Sequence, residues 1–464
     1  MEKQKDIYKF SRVMYILEAA LEYFVAMSVG SAYLAKLTAY IGISDGVTGI
    51  LSSFVSLGCG FQLIAIFLAN KRPVKRWVTL LHIVSQAFFA MIYLIPVFNL
   101  STTAKTVLFI CSLLVAHIIH NVINSPKINW YMSLVDDNKR GRFTANKEII
   151  SLVSGMAFSY GLGVLMDHFE AVGDMRTAFI ICGIGVFGLM ILHSVTLIVS
   201  KEKPAPVEEK KENVGKSVKN LLKNKDLFKV ILVSVLWNIG NYATTSFMGT
   251  YMTKELAFSM TFISVATMAG SLTRALFSRP MGKFADKYSF SKMLIICFSI
   301  AAIAFGVNIF TVPSNGMVFY MIYHILHCIA MAGINSATIN LIYDYVEPKQ
   351  RVQALALKQT LAGFAGFFIA LIMSPLVQLI QNNGNTIFGL PLYAQQVTSI
   401  FSFVMVVLII VYIIFVVSKI KRKVLNESQE SNVAEAVAEP ENVQEAAITI
   451  TESESVIQAQ ESDR

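Results

Sequence analysis

The sequence predicts an all-α membrane protein, with twelve transmembrane helices in two pseudo-symmetric six-helix bundles. Three observations carry this reading. The chain of 464 residues is 55% hydrophobic and 15% charged, with a mean hydropathy of +0.58, whereas soluble domains are about 25% charged. The shortage of charge is uneven, because long apolar runs alternate with short basic clusters. The chain also repeats itself. INSPKIN at 123–129 returns as INSATIN at 334–340, with five of seven positions in agreement at an offset of 334 − 123 = 211. Held without a gap, that offset pairs Val135 with Val346, Arg140 with Arg351, Ala145 with Ala356, Lys147 with Lys358 and Gly155 with Gly366. A repeat at nearly half the chain length marks two copies of one unit.

Taken in order, the runs of the first half are 12–38, 47–69, 77–98, 106–132, 146–166 and 177–199. Those of the second are 228–252, 260–284, 291–312, 317–344, 354–380 and 397–418. At about 1.5 Å per residue each is long enough for a hydrocarbon layer of about 30 Å. Glycine and proline inside some of them are compatible with spanning helices. The first run reads as a span and not as a cleavable signal peptide, being too long and lacking a small-residue cleavage site. The expected domains are an amino-terminal bundle (1–199), a basic cytoplasmic linker (200–227), a carboxy-terminal bundle (228–423) and a disordered acidic cytoplasmic tail (424–464).

Orientation follows from charge. Of 39 basic residues, 32 fall at the amino end, after even-numbered helices or just after helix 12, and only Lys36, Lys105, Arg176 and Lys254 fall on the other side. Basic loops stay in the cytoplasm, so both termini are expected there, in a plasma (inner) membrane protein. The net charge of +9 is read as topology and contact with anionic headgroups, and no nucleic-acid partner is expected. The five cysteines sit singly in apolar runs without a CxxC, which reads as packing and not as metal or redox chemistry. In the linker, VGKSVKNLLKN places Val214, Val218, Leu221 and Leu222 on one helical face with lysines around the other. That suits a helix lying on the membrane surface, or a plain solvated linker.

Two parallel six-helix halves joined by a long basic linker resemble the major facilitator superfamily of secondary transporters, over residues from about 10 to 420. The family's loop signature after helix 2, G-x-x-x-D-[RK]-x-G-[RK]-[RK], has an echo after helix 8. Here the echo is the better copy, with Gly282, Asp286 and Lys287 in GKFADKYSFSK. After helix 2 the chain reads IFLANKRPVKR, with Ile66 for the glycine and Asn70 for the aspartate, while Lys71 and Lys75 remain. The repeated phrase sits at the ends of helices 4 and 10 and runs into loops carrying Arg140 and Arg351. Both a gating joint and simple helix capping account for it.

Transport chemistry has to come from polar groups inside the spans, where burial in lipid makes them costly. On helix 4, His117, His120, Asn121, Asn124 and Lys127 fall within about 120° of one another. Helix 10 offers His324, His327, Asn335 and Thr338, and helix 7 offers Ser234, Asn238, Asn241, Tyr242 and Thr245. Glu18 and Glu22 lie one turn apart on helix 1. The resemblance implies that helices 1, 4, 7 and 10 line a central cavity, and the polar stripes fall on those four. The same groups also serve as interhelical hydrogen bonds. Glu18 is expected near the aqueous end. Glu22, mid-span, is the expected proton-coupling residue. Arg274 is either its countercharge or a side chain that snorkels to the cytoplasm.

The expected function is transport of a small polar solute, sugar- or nucleoside-like, by alternating access, with protons as the coupling ion or none. The expected partners are that solute and the bilayer, with no cofactor and a monomeric state. Efflux of amphipathic metabolites is the alternative, and a non-transporting receptor is the alternative of another class. No HExxH or GxSxG occurs, so an enzyme is not expected.

Overall fold

A computed structural model describes residues 6–69, 73–136, 140–203, 214–343, 345–346, 350–387 and 389–420. Asn70, Lys71, the middle of the linker and the tail after 424 lie outside the described residues, as do the side chains of Arg140 and Asp286. Among the described residues, eleven helices are long and apolar enough to cross a membrane, or twelve when the bent pair Lys9–Ser28 and Ser31–Ile41 counts as one span. That pair is span 1. Spans 2 to 6 are Asp45–Leu68, Val74–Val97, Thr102–Met132, Asn146–Ala171 and Met175–Val199. Spans 7 to 12 are Lys225–Glu255, Met260–Ala285, Phe290–Ile309, Gly316–Tyr343, Arg351–Asn382 and Ala394–Lys419. Every expected run is recovered as one helix or as two or three consecutive helical segments.

Three runs carry breaks that hydropathy does not register. Span 1 bends by 45° between Ser28 and Ser31, where Ser31 takes a positive φ of 46°. Carbonyl groups freed at such a break need protein or water partners. Span 2 is three short helices, Asp45–Ser52, Phe54–Gly60 and Gln62–Ala69. Span 7 ends in a π-helical turn, Tyr251–Glu255.

Helix ends follow ordinary capping. Ser101, Ser259 and Asp174 accept from backbone N–H groups of the first turns of spans 4, 8 and 6, the role such side chains favour. Outside the membrane, the hydroxyl and N–H of Thr177 hold the Asp174 carboxyl below its usual range. The start of the linker is docked. The Glu202 carboxylate accepts the Val74 and Lys75 N–H groups at 2.8 and 3.1 Å, at the amino end of span 3, and Trp130 donates to the Lys201 carbonyl at 3.0 Å. The later linker segment Val214–Lys223 is helical. It buries Leu221 and leaves Leu222 50% exposed.

The halves meet along spans 1 with 7, 2 with 11, and 5 with 8. Asp45 pairs with Lys254 and accepts from Gln381 at 2.9 Å. Both oxygens of Asp167 accept the N–H groups of Met260 and Thr261, at 2.7 and 2.8 Å. Tyr33 and Ser264 hydroxyls lie 3.1 Å apart, and Ser56 donates to the Gly363 carbonyl at 2.9 Å. A Cβ on Gly363 would sit 2.6 Å from Gly60 N and Ser56 O, so glycine there sets how closely spans 2 and 11 approach. Among the described residues, the hydrogen bonds joining the halves lie at mid-depth or on the face away from the start of span 1 and the end of span 12. The molecule is sealed on that face.

Candidate functional site

The densest polar cluster lies within the amino-terminal half, between spans 1, 3, 4 and 6. Glu18 and Glu22 share one face of span 1, and Lys127 follows Pro126 inside span 4. The Lys127 ammonium reaches Glu18 Oε1 at 2.7 Å and Glu22 Oε1 at 2.6 Å. Lys127 is 1% exposed and Glu18 0%, whereas Glu22 keeps 20%. His120 Nδ1 stands 3.5 Å from Glu22 at the exposed edge. In the interior, His193 Nε2 stands 2.9 Å from Glu18 Oε1, and His82 packs edge-on against His193 with ring centroids 4.1 Å apart. Tyr15 and Tyr131 stack at 4.3 Å next to this group.

Two expectations change here. Glu18, expected near the aqueous end, is not solvated but fully buried, because span 1 packs that face against spans 4 and 6. The countercharge to Glu22 is Lys127 and not Arg274, whose side chain on span 8 is exposed. His82 and His193 were not singled out from the sequence, since a lone histidine in an apolar run carries no pattern. Lys127 did leave a signal: the repeated phrase has lysine there and Thr338 in its second copy. In the second half a lysine comes from the next span instead, with Lys358 donating to the Thr338 hydroxyl at 3.2 Å.

The remaining candidates are mostly engaged with neighbouring helices. Asn121 donates to the His117 carbonyl at 2.9 Å and accepts from Cys59 of span 2 at 3.2 Å. Asn238 donates to the Ala362 carbonyl of span 11 at 2.8 Å. Asn241 Oδ1 meets His327 Nε2 at 2.9 Å, and Thr245 bonds back to the Asn241 carbonyl at 2.9 Å. Tyr242 packs against Gly366, where a Cβ would come within 2.8 Å of its ring. His117 is nearly buried, edge-on to Phe89 at 5.0 Å. His324 stacks on Tyr320 and fills the space beside Gly270 of span 8. Asn124 and Asn335, equivalent in the repeat, are both partly exposed. Of the loop residues, Gly282 has open space around it, Lys287 lies over the Tyr288 ring at 5.3 Å, and Arg351 lies over Tyr343 at 4.8 Å.

Glu18, His82 and His193 also offer one ligand atom each, all within 4.8 Å of one another. Lys127 holds the shared carboxylate, and its charge opposes a divalent ion at that point. We assign no metal there.

The arrangement of two like halves meeting at spans 1, 2 and 5 of one and 7, 11 and 8 of the other has a match in sequence. A model of the Major Facilitator Superfamily matches residues 16–259 and again 231–452. The chain belongs to the Major Facilitator Superfamily. Among solved structures, the nucleoside transporter NupG superposes with a TM-score of 0.67 at 16% identity, covering 89% of this chain and 100% of that one. A D-xylose-proton symporter gives 0.64 at 13% identity, over 88% and 97% of the two chains. A bacterial homologue of the human lysosomal transporter Spinster, inward-facing and occupied, gives 0.64 at 13%, over 88% and 96%. At these identities the likeness concerns the fold. No curated protein matches the chain in sequence. As a superfamily member the chain is a multi-pass membrane protein that transports small molecules by alternating access.

Proposed function

We propose that this transporter moves a small polar, hydroxyl-rich solute of sugar or nucleoside type, with protons as the coupling ion and Glu22 as their point of entry. The observation that carries the reading is the ion-paired carboxylate at 20% exposure. An intramembrane acid that is neither dissolved nor sealed away can exchange protons with a wet cavity. Partly exposed Asn124, Asn238, Asn241, Tyr242, Thr245, His327 and Asn335 supply the amide, imidazole and hydroxyl groups that bind neutral polar solutes. They sit on spans 4, 7 and 10, which with span 1 face the cavity by family likeness. The named solutes of two structural neighbours, nucleosides and D-xylose, support the same class. The sealed face opposite the termini fits the inward-open stage of the cycle, given cytoplasmic termini.

The test is a panel of nucleosides, pentoses and hexoses against purified protein, followed by uptake into proteoliposomes. A ligand that binds the folded state raises its melting temperature. One member should do so and should accumulate when the vesicle lumen is made alkaline. If the panel is silent while amphipathic cations stabilise and are transported, the efflux reading replaces this one.

A further inference from the structure

Counting charges leaves the buried cluster of the amino-terminal half one positive charge short. Glu18 and Glu22 bring −2 and Lys127 brings +1, so −2 + 1 = −1, at side-chain exposures of 0%, 20% and 1%. A net charge so placed is costly unless a cation joins it. The polar atoms around it are short of partners too. Glu18 Oε2, His193 Nδ1 and both ring nitrogens of His82 are buried without a hydrogen bond. His82 and His193 are each 0% exposed. A bare buried polar group costs about 1–3 kcal/mol, so an imidazole with nothing to bind is an expensive way to fill space.

The same three side chains converge. One nitrogen of His82, one of His193 and an oxygen of Glu18 lie within 4.8 Å of one another. The groups facing this point come from every element around it: Glu18 and Glu22 from span 1, His82 from span 3, His120 and Lys127 from span 4, and His193 from span 6. Lys127 is the only fixed positive charge among them.

We propose that His82 and His193 form a buried proton-binding site, and that a proton held there competes with Lys127 for Glu18. The proton adds to the lone pair of His193 Nδ1, while Nε2–H continues to donate to Glu18 Oε1; no other bond is made or broken. The His82 ring packs edge-on against His193, with centroids 4.1 Å apart. The cluster becomes neutral, and His193 becomes a cation next to the carboxylate that Lys127 otherwise neutralises. Lys127 is then held chiefly by Glu22, at the exposed edge. Proton binding thereby loosens one tie between spans 1 and 4 and tightens another, one turn away. The coupling consequence rests on the transport reading above; the proton site does not.

The test therefore reads the site without a substrate. Full-length protein with ring-15N-labelled histidine, in lipid bilayers, is titrated by solid-state NMR between about pH 5 and 8, the range in which histidine changes charge. Exposed His168 serves as the solvent-accessible internal reference. The expected result is a second imidazolium signal on acidification, absent in His193→Gln, diminished in His82→Gln and in Glu18→Gln, and retained in His120→Gln. A wild-type protein in which no buried histidine becomes imidazolium overturns the proposal whatever the variants do, as does a second signal that survives both His82→Gln and His193→Gln. The same sample with one equivalent of Zn2+ is the control: loss of the two interior histidine signals into a zinc-bound form makes the site a metal site and overturns the proton assignment. Thermal unfolding of each variant separates a lost signal from a lost fold. If the titration behaves as expected but no solute is carried, the function reading fails and the proton site stands.

Discussion

One side chain, Lys127, is ion-paired with two carboxylates, one fully buried and one at the exposed edge of the cluster. Breaking a buried pair from one side costs about 3–5 kcal/mol, whereas replacing all its members with apolar groups of like size is often neutral. Lys127→Met should therefore lower the thermal unfolding midpoint of the purified protein sharply. Adding Glu18→Leu and Glu22→Leu should recover most of the loss. If the single and triple variants unfold together, the lysine is not the cluster's anchor. Glu22→Gln tests function instead. It keeps the shape and a hydrogen-bond acceptor for Lys127, so folding should survive and solute exchange should continue, while accumulation against a gradient disappears. A Glu22→Gln protein that still concentrates solute under an imposed proton gradient removes Glu22 from coupling. At this scale the sequence identified Glu18, Glu22 and the helix 4 stripe, because period and polarity are local. It did not pair Glu22 with Lys127, 127 − 22 = 105 positions away, because no local rule relates one helix to another.

At the scale of elements, the seal between the halves rests on helix ends and small residues. Asp167 of span 5 caps the first turn of span 8 with both carboxylate oxygens, where N–H groups lack partners and the helix dipole favours an anion. Losing such a cap costs about 1–2 kcal/mol. Asp167→Ala should shift the molecule away from the sealed arrangement. Gly363→Leu should do the same by forcing apart spans 2 and 11, whose backbones leave no space for a Cβ. Both can be read with cysteines at 45 and 254, whose native side chains pair across the seal, on a background without the five native cysteines. Cross-linking should be efficient in that background and fall in each variant. Equal yields in all three would mean that the seal lies elsewhere. Hydropathy located these spans but not their breaks. The bent part of span 1 and the three segments of span 2 pack against spans 7 and 11, and an apolar run reads the same whether straight or bent.

For the molecule as a whole, the start of span 1, the end of span 12 and the docked start of the linker share one face, and the seal lies on the other. Protease-cleavable tags at 210 and 440 should be cut only from the cytoplasmic side of inverted vesicles. A cysteine at Asn124 should react with an impermeant maleimide from that side and stay protected from the opposite one while the seal is closed. Cleavage of either tag from outside intact cells would reverse the orientation.

The amino-acid sequence alone determined the number of spans, their order, the internal duplication and the family, because each of these is written in composition, period and repetition along the chain. Tertiary structure alone decided that the acidic pair of span 1 faces inward to a lysine and two histidines from three other spans. The physical reason is that an ionisable group in an apolar interior is defined by its partners, and those partners are brought together only when the six helices of one half close around them.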